Sequence, residues 1–377
     1  MKIAIISSNT LPTPPAGVEI PDGWTTSIHN LISEITEGLV NKGHDVTLYA
    51  SGDSKTSAKL KSVWDVSSSE LEKIENQFGY YCYDHILTSY CFEDLKKEKY
   101  DIIYTYHTFD SGIYGNLIEA PIVSTFHGSA RDDYLKIWGT KIISPNIYIG
   151  ISDFQINSIP YLHFYDRIYH GIDGDFFKYQ SHVNDNLVTV GRISTDKGTD
   201  ISIDIANELN KQLDIFGTTN YKPLMDELLE KSKDHKINFH GQKEQNIIKH
   251  TVSNSKAFIF PIRWDEPFGL VLIESLACGT PIIAFANGSL PEIVEDGKTG
   301  FLVNSDESNI RGDWITKKTG REGLLEAVNK LYSLPMEEYL QMRKNCRESF
   351  EQRFTKEIMI NNYEKLFQKI ISEKIEK

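Results

Sequence analysis

The sequence predicts an α/β protein built on two doubly wound parallel sheets. Three observations carry this expectation. Short apolar runs alternate with longer stretches of helical period almost throughout. About ten such runs are more than one ordinary sheet takes up. A polar break near Tyr169–Asn186, running through Gln180 to Asn186, precedes a new strand.

The strands are expected in order at Lys2–Ser7, Asp45–Ala50, Ile102–Tyr106, Ile122–Phe126 and Ile147–Ile151. After the break come Leu187–Val190, Leu213–Phe216, Ile237–Phe239, Ala257–Phe260 and Pro281–Ala284. Between the first two strands lies an amphipathic helix. Its apolar residues Ile28, Leu31, Ile32, Ile35 and Leu39 recur at helical spacing, and Gly43 stops it. Strands alternating with helices imply parallel sheets covered on both faces. A last helix, from about Thr355, carries Met359, Tyr363, Leu366, Phe367 and Ile370 on one side. No internal repeat is evident.

Composition sets outer limits on function. The 377 residues are 40% hydrophobic and 25% charged, ordinary for a soluble globular chain of two or three domains. The formal net charge is −13. Residues 1–170 hold 13 basic against 21 acidic side chains, and the rest hold 27 against 32. Neither half is basic, which argues against nucleic acid or anionic lipid as a partner. No apolar run approaches the ~18 residues of a membrane span, and the start MKIAIISS reads as a strand rather than a secretory signal. Cys82, Cys91, Cys278 and Cys346 lie far apart with no CxxC pair. Neither a metal site nor a disulfide framework is expected, and a reducing cytoplasm is.

The most informative stretch is Glu266–Pro267–Phe268–Gly269–Leu270–Val271–Leu272–Ile273–Glu274. One glutamate opens a tight turn, and a second follows on a helix whose Val271, Leu272, Ile273, Leu276 and Ala277 require burial. A helix start offers free N–H groups and the positive end of the dipole to phosphate. Two carboxylate acceptors for hydroxyls beside such a start describe a nucleotide-sugar site. A capped core helix preceded by a solvated glutamate would explain the apolar residues, but not Pro267, Phe268 and Gly269 together.

A second loop, Val190–Gly191–Arg192–Ile193–Ser194–Thr195–Asp196–Lys197–Gly198, follows a strand and opens a helix. Gly191 permits a tight exit. Arg192 and Lys197 bring two positive charges to one loop, which suits a departing diphosphate on which negative charge grows. Ser124–Thr125–Phe126–His127–Gly128 places His127 at a strand's carboxyl end, and Tyr104–Thr105–Tyr106–His107 does the same for His107. Asp173–Gly174–Asp175 has the DxD form of a metal site but stands at a domain joint, so a turn with a helix cap is expected there.

The run from Phe260 to Val303, with EPFGLVLIESLACGTPIIA, GSLPEIV and DGKTGFLV, resembles the retaining glycosyltransferases of family 4. Their hallmark of Glu, seven residues, Glu is met by Glu266 and Glu274. The resemblance spans essentially the whole chain and implies the GT-B architecture: two Rossmann-like domains facing across a cleft. It implies an N-terminal domain over 1–170, a nucleotide-sugar domain over 171–354, and a helix over 355–377 crossing back to the first domain. Packing of that helix on its own domain is an equal alternative. His170–Gly171–Ile172–Asp173 resembles the family's linker.

The implied reaction is retaining transfer from a nucleoside-diphosphate sugar to an unidentified hydroxyl acceptor. The acceptor could be a saccharide, a lipid-linked glycan or a natural product. The resemblance gives the leaving diphosphate to Arg192 and Lys197, the sugar to Glu266, and the ribose hydroxyls to Glu274. It sets His127 beside the sugar as a positioning group, and Gly191 and the N–H groups of Phe268, Gly269 and Leu270 against donor phosphate and sugar. Gly241–Lys243 is where relatives meet the nucleobase, and Gly288–Glu292 forms a further turn near the donor. No metal and no cofactor are implied. The first domain departs from the family's Gly-Gly turn: Gly17 and Gly23 are separated, either is a candidate for the diphosphate, and Trp24 either stacks on a sugar or pins the loop.

Three other readings stay open. A nucleotide-sugar epimerase would need no acceptor, and a sugar phosphorylase would need inorganic phosphate. A catalytically silent sugar-binding or partner-binding protein would keep the fold without the chemistry. A nicotinamide oxidoreductase is disfavoured because no GxGxxG follows the first strand.

Overall fold

The computed structural model describes every residue except 17–25, 72–76, 107–110, 113, 130–145, 182, 234 and 376–377. The chain forms two compact units. The first comprises Met1–Gly171 with Lys356–Lys377, and the second Ile172–Thr355.

The first unit opens with β1 (Lys2–Ile6), α1 (Ser27–Asn41), β2 (Asp45–Tyr49), β3 (Lys59–Lys61) and α2 (Gln77–Leu95). It continues with β4 (Ile102–Thr105), β5 (Ile122–Thr125), β6 (Ile147–Gly150), α3 (Asp153–Ser158) and β7 (Phe164–Arg167). Its strands join in the order β3-β2-β1-β4-β5-β6-β7. The central pairs are parallel, with Ile3 opposite both Val46 and Ile102. Ile3, Ala4, Ile5 and Ile6 are all buried because helices cover both faces. Helix α1 buries Leu31, Ile32, Ile35 and Leu39. It stops at Gly43, whose φ of +82° lets its N–H reach Val40 O while His44 N–H reaches Leu39 O.

The second unit runs β8 (Leu187–Val190), α4 (Thr199–Glu208), β9 (Leu213–Phe216), α5 (Lys222–Lys231), β10 (Ile237–Gly241), α6 (Gln245–Asn254) and β11 (Ala257–Phe260). Then come α7 (Leu270–Ala277), β12 (Ile282–Phe285), α8 (Leu290–Ile293), β13 (Gly300–Val303), α9 (Gly320–Ser333) and α10 (Met336–Arg353). The sheet order is β10-β9-β8-β11-β12-β13, again all parallel. Its core gathers Leu187, Ile203, Leu213, Ile259, Ile283, Leu324 and Leu331. Helix α10 packs on α7 and delivers the fully buried Arg343, which donates to the carbonyls of Gln180, Ser253 and Ser255. That set of carbonyls makes the buried guanidinium tolerable.

Helix α11 (Lys356–Ile375) belongs to the first unit. It packs on α1 so closely that a Cβ at Gly38 would stand 2.4 Å from Ile360 Cδ1. Its Tyr363 hydroxyl meets Thr125 Oγ1 at 2.8 Å, and Tyr104 hydroxyl also reaches Thr125 at 3.0 Å. The buried hydroxyls are thereby satisfied among themselves.

Three strands that the sequence reading did not anticipate are β3, β7 and β13. Each lies at a sheet edge. An edge strand is not obliged to be apolar on both sides, and Lys59–Leu60–Lys61 and Phe164–Tyr165–Asp166–Arg167 carry no continuous apolar run.

Candidate functional site

In the second sheet the chain winds outward one way from β8 and the other way from β11, so the two strands flank the point where strand order reverses. Open α/β sheets bind ligands outside the carboxyl ends at that point. The loop after β8 and the segment after β11 meet there.

Gly191 leaves β8 at φ +150°, and Gly198 caps α4 at φ +73°. A Cβ on Gly198 would lie 2.1 Å from Pro261 O, so only glycine lets the loop press against the end of β11. The two cations of the loop behave differently. The Arg192 side chain is 59% exposed and reaches Asp196 only at 3.7 Å, a contact that leaves it able to move. Lys197 turns inward, and its Nζ donates to Glu266 Oε2 at 2.7 Å.

The segment after β11 is held from both sides. Arg263 N–H donates to Asp196 O at 2.8 Å, and its guanidinium grips the Asp200 carboxylate at 2.7 and 2.6 Å. Burial works to raise the Asp200 pKa, but the Arg263 hydrogen bonds and charge outweigh it and hold the carboxyl below its usual range. Gly288, at φ +67°, would place a Cβ 2.3 Å from Glu266 O. Gly288 N–H donates to Asp265 Oδ1, Ser289 N–H to Glu266 O, and Ser289 hydroxyl to Phe268 O. The backbone of Glu266 is therefore fixed before any ligand arrives. Phe268 is buried, edge-on to Phe354 at 6.1 Å. Gly269 starts α7 at φ +89°, with Leu270 as the first helical residue.

Glu274 lies one turn into α7. Burial pushes its carboxyl up to about 7, partly offset by a hydrogen bond from Gln245 of α6. Gly241 ends β10 with open space where a Cβ would stand, and Gln242 and Lys243 after it are exposed.

His127 belongs to the first unit, two residues past β5. Its ring stacks on His170 at 5.1 Å and meets Tyr106 edge-on at 6.3 Å. Its Nε2 is buried without a hydrogen-bond partner, and burial lowers its pKa to about 4, so the imidazole is neutral near pH 7. The backbone around it is clamped by Gln155, whose Nε2 donates to Phe126 O at 3.0 Å and Gly128 O at 2.8 Å. On the loop after β1, Asp84 of α2 accepts from Ser8 hydroxyl, Asn9 N–H and Thr10 hydroxyl.

The structure brings Lys197 and Glu266 into contact. Arg192 and Gly191 lie on the same loop as Lys197, and Glu274 and Gly269 on or at α7. Gly17, Gly23, Trp24 and His107 fall outside the described residues. Asp173 forms a turn, accepting from the N–H groups of Asp175 and Phe176. A turn rather than a helix follows, so the cap expected there is corrected. Sequence reasoning missed Arg263, Asp200 and Gln155 as supports. The Arg263–Asp200 pair spans 63 positions and the Gln155 clamp 27 to 29, so no local pattern announces them.

The family described as "Glycosyl transferases group 1" matches residues 173–312, and "Glycosyltransferase Family 4" matches residues 28–157. An uncharacterized 41.2 kDa protein from the cps region of Klebsiella pneumoniae is 26% identical over 48% of this chain and 46% of its own length. An uncharacterized glycosyltransferase of Methanocaldococcus jannaschii is 26% identical over 63% of this chain and 70% of its own. The match thus spans about half the length of the first relative. The crystal structure of Anabaena HepE with UDP and glucose superposes with a TM-score of 0.69 at 17% identity, covering 98% of this chain and 99% of that one. A likeness at that identity establishes the fold: the GT-B arrangement of two Rossmann-like units.

Proposed function

The chain belongs to glycosyltransferase family 4, and on that premise we propose that it moves a sugar from a nucleoside-diphosphate sugar to a hydroxyl acceptor with retention at the anomeric carbon. One observation carries the reading. A lysine and a glutamate that suit the two ends of such a donor stand 2.7 Å apart at the reversal point of the second sheet.

Lys197 and the swinging Arg192 hold the diphosphate, and the N–H groups of Phe268, Gly269 and Leu270 add to the same grip. Glu266 accepts from a sugar ring hydroxyl, and Glu274 from the ribose. The bond between the anomeric carbon and the diphosphate oxygen breaks as the cations take up the growing charge. The acceptor oxygen bonds to that carbon on the same face, and its proton passes to the departing phosphate oxygen. His127, neutral and unpartnered at Nε2, orients the sugar and is not the nucleophile. We give the charge-neutralising task to Arg192 and Lys197 in place of a divalent ion, with no resident cofactor. HepE was solved with UDP, which makes a UDP-sugar the first donor to try.

The four cysteines are free thiols, and we assign the enzyme to the reducing cytoplasm. Among the described residues no helix is long and apolar enough to cross a membrane.

The test is a thermal-shift and calorimetric panel of UDP-, GDP- and ADP-sugars against wild type and Lys197→Ala. One donor is expected to raise the melting temperature of wild type. Removal of Lys197 is expected to lower turnover by about two to three decades, roughly 3–4 kcal/mol of transition-state stabilisation. Chelator is expected to leave activity intact. A flat panel contradicts the donor assignment, and a strict metal requirement contradicts the charge assignment.

A further inference from the structure

The Lys197 ammonium is boxed in by more than its carboxylate. It lies 5.1 Å from the ring centroid of Trp264 and 5.5 Å from that of Phe260. Phe260 is the last residue of β11 and is buried. Trp264 follows four residues later, between Arg263, which is tied to Asp200, and Asp265, which accepts from Gly288 N–H and Arg311. Its ring is therefore carried on a backbone anchored on both sides. Its indole N–H is buried with no hydrogen-bond partner, so what this residue contributes at the site is the face of its ring.

We infer that Trp264, with Phe260, is a positioning residue that holds the Lys197 ammonium in place for the donor diphosphate. The inference rests on the reading that Lys197 binds that diphosphate. A lysine stem has four rotatable bonds, and one carboxylate does not fix it. On the proposed reading Glu266 must also serve a sugar hydroxyl, which draws it away from Lys197 just when the cation is needed. Two aromatic faces attract the cation without competing for its N–H donors along the ligand direction. The attraction of one partly desolvated face corresponds to a change of roughly threefold to thirtyfold in an equilibrium.

The test uses the full chain as wild type, Trp264→Phe, Trp264→Leu, Lys197→Ala and the Trp264→Leu/Lys197→Ala double variant. Calorimetry reads affinity for whichever of UDP, GDP and ADP binds wild type most tightly. Proton NMR of the ligand-free protein reads the Lys197 side-chain methylenes, assigned by their loss in Lys197→Ala. Trp264→Leu is expected to weaken nucleotide binding by about tenfold. Trp264→Phe, which keeps a smaller and less electron-rich aromatic face and drops the unpartnered N–H, should stay within about threefold of wild type. The double variant should bind no more weakly than Lys197→Ala alone, because both changes remove one interaction. The Lys197 methylenes should be shifted upfield by the ring and return to ordinary positions in Trp264→Leu.

Three results overturn the inference: unshifted methylenes in wild type, multiplied losses in the double variant, or Trp264→Phe as weak as Trp264→Leu. If Lys197→Ala binds nucleotide as wild type does, the diphosphate reading falls and takes the functional half with it. The ligand-free NMR result then separates that failure from failure of the aromatic clamp. If Trp264→Leu does not fold, Trp264→Phe and the wild-type methylene shifts still decide the matter.

Discussion

With its carboxyl lifted to about 7 by burial, Glu274 is close to half protonated at neutral pH. The ionised form is the stronger acceptor for ribose hydroxyls, because its hydrogen bonds are charge-assisted. Donor affinity is therefore expected to rise about tenfold between pH 6 and pH 8, and Glu274→Gln is expected to flatten that dependence at the weak end. The stability effect has the opposite sense. Folding raises this pKa above its ordinary value of 4.5, so the group is unfavourable to the fold only when ionised. That penalty is absent below about 4.5 and grows as pH climbs through about 7. Glu274→Gln should therefore melt higher than wild type at pH 8 and nearly level with it at pH 4.5. Calorimetry and thermal melts across pH read both, and a wild-type affinity that ignores pH removes Glu274 from the ribose.

At the same scale, the residues that bear charge were legible and those that hold them were not. Glu266, Glu274, Arg192 and Lys197 stand in short motifs whose spacing is visible in the chain. The closeness of Lys197 to Glu266 spans 69 positions and depends on Gly198 letting a loop touch Pro261. Trp264 sits inside the motif, yet only folding puts its ring over a lysine.

Among the elements, the ten anticipated strands are all present within a residue or two, most of them because buried strands must be apolar on both faces, while the edge strand β10 is only partly buried. The three unanticipated strands are edges; in β3 and β7 that obligation lapses, whereas β13 is apolar and fully buried. The stripe on the last helix, Met359, Tyr363, Leu366, Phe367 and Ile370, is buried throughout, and so is the neighbouring Ile360. The sequence showed the stripe but left its partner open, since helical period says which side is apolar and not what covers it. The structure pairs it with α1 and Tyr104 of the first unit. Six such side chains at about 1.5–3 kcal/mol each give roughly 9–18 kcal/mol of burial, as much as a whole domain's net stability of about 5–15 kcal/mol. Deleting residues 356–377 should unfold the first unit and leave the second, whose chain is continuous from Ile172 to Thr355, with its own transition. Hydrogen exchange mapped along the truncated chain checks this. Protection retained equally in both units would show that α11 is dispensable.

For the whole molecule, alternation of period and the polar break were enough to anticipate two parallel α/β units, and the family run to anticipate the GT-B fold. The loop after β1 stood outside the family pattern from the start, and Gly17 and Gly23 remain candidates only. An acidic chain of net charge −13 that is to hold an anionic donor has to concentrate cations locally. On the proposed reading Arg192, which is exposed, and Lys197, which is held by Glu266, are where the second unit does so.

The most direct measurement is a crystal structure with the nucleotide-sugar that the panel selects. The donor's diphosphate is expected within about 3 Å of both Lys197 Nζ and the Arg192 guanidinium, its sugar on Glu266 and its ribose on Glu274. A donor seated elsewhere, with Lys197 still closed on Glu266 and Arg192 still in solvent, would contradict that placement.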